Sequence, residues 1–213
     1  MNDRIFLLEK PLFKELIMER IVMEKNIIYF NAPGEENTSA VIEAVRTRAL
    51  EGDIREVVVA STSGKTGVAM ASALKGTDIK TIVVTHQFGS HEEGKWDMES
   101  EYVSQLNEMG IPIVSQSHMF SGIEKSLSKE TGGVSRVEII ADTLRKIFGK
   151  GFKVAIEVVL MAADSGALTM EGEVIAIGGT SNGADVACVI KPAHSNNFYG
   201  LQVREIIAMP RDK

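Results

Sequence analysis

Apolar positions along this chain alternate between two periods. Short β-branched runs at 57–60, 81–85, 173–177 and 186–190 read as strands covered on both faces. Shorter or mixed runs at 27–30, 111–114 and 203–208 add three more. Between them the spacing turns helical over 37–50, 65–74 and 96–109, each run closed by a glycine (Gly52, Gly76, Gly110). Ser135 and Glu138 form a capping box that opens a helix ending at Gly149. The stretch 153–165 is ambiguous, because Val154, Ile156, Val158 and Val159 favour a strand. Its length, the Ala162-Ala163 pair and the closing Gly166 favour a helix, which is the reading taken. Residues 87–95 are polar and read as a mobile loop, and 117–134 as an insertion holding a short helical piece.

Strands alternating with helices at this spacing predict a three-layer α/β fold: a mostly parallel sheet, helices on both faces, and an antiparallel edge from the closely spaced C-terminal strands. The main domain spans 25–213. Before it, Leu12, Phe13, Leu16, Ile17, Ile21 and Val22 lie at helical spacing, so residues 1–24 read as an amphipathic extension. That extension docks on the body or on another subunit, and a homo-oligomer is expected.

Composition narrows the function classes. With 213 residues and 44% hydrophobic content, dispersed along the chain, a real core is possible and a membrane span is not expected. A net charge of −6 argues against nucleic acid as the main partner. The single cysteine, Cys188, sits in an apolar run and reads as an inert buried thiol. No signal peptide is visible, so a cytoplasmic location is the default expectation.

Candidate chemistry concentrates where strands end, since ligands of such sheets bind beyond the carboxyl ends of the strands. The run Val57 to Gly67 reads as strand, tight turn and helix start. Ser61, Thr62, Ser63, Gly64, Lys65 and Thr66 there suit a phosphate at a helix N-terminus. The alternative is an ordinary well-capped βα turn. Only Gly64-Lys65-Thr66 fits the Walker pattern, since Val59 stands where its first glycine belongs. Asn31, Thr85, His86, Ser117 and His118 follow other strands. So do the glycine-rich turn Gly178-Gly179-Thr180, which could let a planar ligand approach the backbone, and the segment 192–197 with His194. Each histidine is either a ligand contact or a turn residue bonded to backbone. No HxH or HExxH spacing is present, so no metal site is expected. Asp164-Ser165 with His194 suggests a hydrolase triad, but the GxSxG elbow is missing.

Several motifs together resemble a known family. They are Tyr29-Phe30-Asn31-x-Pro33-Gly34, Ala60-Ser61-Thr62-Ser63-Gly64, Gly132-Gly133-Val134-Ser135, Ala162-Ala163-Asp164-Ser165-Gly166, Gly178-Gly179-Thr180 and Pro192-Ala193-His194-x-Asn196-x-Phe198. The family is largely archaeal, lacks a settled activity, and has a fold like the C-terminal α/β domain of pyruvate kinase. The resemblance implies a bound phosphorylated small molecule, foremost flavin mononucleotide (FMN). Thr62, Ser63, Gly64, Lys65 and Thr66 would hold its phosphate, with Asn31, Thr85, His86, Gly179 and Thr180 near the rest. The chain is not expected to be a pyruvate kinase, because that chemistry belongs to a separate barrel of about 250 residues. Two alternatives stay open: a flavin-dependent oxidoreductase or phosphoester-handling enzyme using His86 or His118, and a structural homo-oligomer with a vestigial site.

Overall fold

A computed structural model describes residues 23–212; the helix expected over 12–22 lies outside them. In chain order the elements are β1 (Ile28–Phe30), α1 (Thr38–Ala49), β2 (Glu56–Ala60), α2 (Lys65–Ala73), β3 (Lys80–Thr85), α3 (Ser100–Glu108) and β4 (Ile113–Ser115). Then follow α4 (Gly122–Thr131), α5 (Arg136–Phe148), α6 (Lys150–Asp164), β5 (Val174–Gly178), β6 (Val186–Lys191) and β7 (Gln202–Pro210).

The strands form one seven-stranded sheet in the order β1-β7-β6-β5-β2-β3-β4. Six strands run the same way; β6 pairs antiparallel with β5 and β7, and β1 then pairs parallel with β7. The antiparallel pairing is thus confined to the C-terminal side of the sheet, as the short spacing between those strands requires.

Side-chain alternation builds the two outer layers. Val57, Val59, Val83, Ile175 and Ile177 face one way, onto α1, α2 and α3. Val58, Ile82, Val84, Val174 and Ala176 face the other way, onto α5 and α6. A residue-by-residue switch of face is the period of a strand, and burial on both faces explains the β-branched runs. The ambiguous segment is helical: α6 is buried along nearly its whole length because it lies over the middle of the sheet. The capping box of Ser135 and Glu138 is formed in full.

One boundary differs from expectation. The helix expected from residue 96 starts at Ser100. Trp96 and Asp97 close the preceding loop instead: Trp96 stacks on Phe88 at 5.1 Å, and its indole N–H donates to the His86 carbonyl. That loop, 87–95, is folded on itself, with the Gly89 N–H on the Lys95 carbonyl at 2.8 Å.

Candidate functional site

Strand order reverses between β2 and β5. From β2 the chain steps outward through β3 and β4, then returns on the other side at β5, which pairs parallel with β2. The crevice beyond the carboxyl ends at such a switch is the general ligand position of open α/β sheets. Here it lies between two turns, 61–64 and 178–183. The structure therefore brings the two glycine-containing turns together.

The first turn is held rigid from outside. Gly64 takes φ +103°, a left-handed conformation that a side chain disfavours, and a Cβ there would sit 2.5 Å from Tyr102. The Thr85 hydroxyl donates to the Thr62 carbonyl (3.0 Å), and the Glu99 N–H donates to the Ser63 carbonyl (2.9 Å). Ser61 accepts from the Gly67 N–H at 3.1 Å, so its hydroxyl caps α2. Ser63 accepts weakly from the Lys65 N–H at 3.4 Å. Thr62 and Lys65 are exposed, and Lys65 pairs with Glu35 at 2.9 Å. Thr66 and Thr85 are buried, so they shape the turn rather than face solvent.

The glycines of the second turn serve packing. A Cβ on Gly178 would meet the Gly151 carbonyl at 2.1 Å, and one on Gly179 would meet the Gly183 carbonyl at 2.2 Å. The space a planar ligand was expected to use holds protein backbone: Gly178 lets the first turn of α6 lie against β5. Thr180 donates its N–H to Asp185 at 3.0 Å, and the Gly34 N–H reaches the same oxygen at 3.2 Å. Asp185 is fully buried, and burial pushes its carboxyl above the usual range. Beside it opens a cavity of about 280 Å³, lined by Thr180, Asp185, Arg145, Lys146, Lys150 and the Gly149–Gly151 backbone at the start of α6.

Beyond β3 and β4 lies a polar network. Nδ1 of His86 and Nδ1 of His91 each stand 2.8 Å from one oxygen of Asp97. Burial depresses the His86 value against the pull of Asp97, while the two imidazoles outweigh burial at Asp97 and hold it low. The His118 ring lies 5.0 Å from that of His86, and its Nδ1 is 3.3 Å from Glu157. Glu157 also accepts from Lys153 and from the Phe120 N–H. Burial pushes Glu157 up, but the His118 and Lys153 interactions prevail and hold it at about 2.

Three expected residues fall elsewhere. Asn31 is exposed beyond β1, the outermost strand, with β7, β6 and β5 between it and the switch point. Ser117 is exposed beyond β4, the outermost strand on the other side. His194 lies at the opposite edge altogether, because β6 runs against its neighbours and ends at their amino ends. There Asp164 accepts from the Ser195 N–H at 3.0 Å and from His194, while the Ser165 hydroxyl donates to the Ala162 carbonyl. The Ser195 hydroxyl also donates to Asp164, so this serine is bound to the carboxylate and not to the imidazole as a triad nucleophile would be. Cys188 is buried, and burial pushes its thiol up to about 12.

Sequence reasoning missed Asp97, His91, Lys153, Glu157 and Asp185. One signal was present: Lys153 and Glu157 are charges four apart inside an otherwise apolar helix, the spacing of a buried pair. Among the described residues, three buried side-chain polar atoms have no hydrogen-bond partner: Gln87 Oε1, His118 Nε2 and Asp185 Oδ1. All three lie at the carboxyl edge. Also among the described residues, no helix is long and apolar enough to cross a membrane. The α/β sheet, its switch point and its βα turns accord with the comparison to known proteins: residues 39–190 match the model of the pyruvate kinase alpha/beta domain, and the chain belongs to that family.

Proposed function

We propose that this protein binds a phosphorylated small molecule, foremost FMN, across the carboxyl edge of its sheet. The observation that carries the reading is the switch point itself: a rigid strand–turn–helix on β2 set against the cationic cavity beyond β5. The phosphate is assigned to the exposed face of the 62–66 turn. Backbone N–H groups at the start of α2 and the Lys65 ammonium favour an anion there. The Lys65–Glu35 pair is no obstacle, because both side chains are largely solvent-exposed and such pairs are weak.

Asp185 Oδ1, beside that cavity, is buried and lacks a partner, so it can serve a ligand hydrogen bond without losing one to protein. When bound, FMN supplies redox chemistry of its own, and this chain supplies binding and orientation. A second placement rests on one observation: Arg145, Lys146 and Lys150 surround the cavity at the start of α6, where a phosphate would also be stabilised.

Protein purified without added cofactor should show visible flavin absorption and release FMN on heating, identified by mass. Protein that neither carries nor takes up FMN overturns the reading. Thr62→Ala with Lys65→Ala, compared with Lys146→Ala with Lys150→Ala, separates the two placements. All four side chains are peripheral enough to leave the core unchanged.

A further inference from the structure

The geometry points to a metal site that sequence spacing conceals: we propose that His86, His91 and Asp97 bind a divalent transition metal of the zinc class. The three residues follow one another at intervals of five and six, a pattern no common metal motif contains, yet the folded 87–95 loop gathers them. Their ligand atoms all lie within 4.8 Å of one another. Both imidazoles aim Nδ1 at a single oxygen of Asp97, each at 2.8 Å. A tetrahedral ion with bonds of 2.0–2.1 Å keeps its ligand atoms about 3.3 Å apart. To take one, the two nitrogen–oxygen distances need to lengthen by about half an ångström, while the two nitrogens already lie within 4.8 Å of each other. A carboxylate only accepts, so each Nδ1 facing it carries its ring's proton; with a cation in that place, each ring carries the proton on Nε2 instead.

Two imidazoles and one carboxylate are a donor set suited to zinc, cobalt, nickel or ferrous iron, and unsuited to magnesium or calcium, which prefer oxygen alone. The scaffold is built for rigidity. The His86 carbonyl is fixed by the Ser115 hydroxyl at 2.8 Å and the Trp96 indole at 3.2 Å. Trp96 in turn stacks on Phe88 and so ties the two ends of the loop together.

His118 supplies an independent observation. Its Nδ1 lies against Glu157 and its Nε2 is buried without a partner, beside the His86 ring. A carboxylate on one imidazole nitrogen, with the other left as an unused acceptor, is the arrangement by which metal-binding histidines are oriented. Three protein ligands leave an ion with an open position, and the His118 ring stands 5.0 Å from that of His86. This inference does not depend on flavin binding.

The test uses the full chain, freed of metal with a chelator and dialysed, then titrated with Co²⁺ in the absence of flavin. Visible d–d absorption should saturate near one ion per chain and be displaced by Zn²⁺. His91→Ala and Asp97→Asn should each weaken Co²⁺ binding at least tenfold. His194→Ala, which alters a histidine–carboxylate pair at the opposite edge, should leave the titration unchanged. The His91 side chain is 67% exposed, so its removal spares the fold, and circular dichroism checks this. Absence of saturable binding, or a titration that both cluster variants leave unaltered, would overturn the proposal.

Discussion

Two charged clusters at opposite edges of the sheet obey different rules. At the amino edge, Arg48 of α1 donates to both oxygens of Glu205 and both oxygens of Asp53, at 2.7–2.8 Å. The Glu205 hydrogen bonds, then those of Asp53, hold the guanidinium firmly charged. Glu56 at the same edge accepts from the Thr169 N–H and hydroxyl. At the carboxyl edge, by contrast, charges are buried just as deeply, but Asp185 and His118 keep polar atoms without partners. A saturated cluster joins helix to sheet and has nothing left to offer a ligand. An unsaturated one carries a desolvation cost that a ligand or ion can relieve. On the proposed reading, the same chain uses buried charge for architecture at one end and for recognition at the other.

Substitutions can break this contrast, beginning with the largest effect. Arg48→Ala strands Glu205 and should destabilise the fold by about 3–5 kcal/mol in urea unfolding, with FMN and Co²⁺ affinities unchanged. Glu157→Gln comes next. The carboxyl falls from 4.5 to about 2 on folding, so native Glu157 contributes roughly 3 kcal/mol at neutral pH. Because the folded value is the lower one, that contribution is present above pH 4.5 and lost as pH falls toward 2. Unfolding curves of native and Glu157→Gln protein should therefore converge across that interval.

Asp185→Asn should act in the opposite direction. Burial raises the Asp185 value above 3.8, so the native carboxyl costs stability as pH climbs past that point. The amide can still accept from Gly34 and Thr180. The variant should be as stable as the native chain or more stable by about 1 kcal/mol at pH 7, and should bind ligand less well, a trade expected of a recognition residue. The smallest structural effect belongs to Lys65→Ala: an unchanged thermal midpoint with weaker binding of any phosphorylated ligand.

Much of this architecture was readable from the residues. The β-branched runs marked the strands, Gly64 marked the turn, and Ser135 with Glu138 marked a helix start, because each is a local rule satisfied locally. The position of β6 was not readable in the same way. Residues 192–197 follow a strand as clearly as 61–66 do, and only the direction of pairing sends them to the other edge. The cluster of His86, His91 and Asp97 was hidden for a related reason. Asp97 looked like part of a helix from 96, but stacking of Trp96 on Phe88 ends the loop there and turns Asp97 toward the histidines. Gly178 and Gly179 were legible as special positions but not in their role, since the atoms they make room for come from α6 and from Gly183.

The central claim is that the carboxyl edge recognises a phosphorylated ligand through the turn after β2. Parallel titrations with FMN and riboflavin, followed by flavin fluorescence, test it most directly because the two differ only in the phosphate. The account predicts that FMN binds at least tenfold more tightly than riboflavin, and that Thr62→Ala with Lys65→Ala removes most of the difference. Equal affinity for the two flavins, or binding of neither, would contradict it.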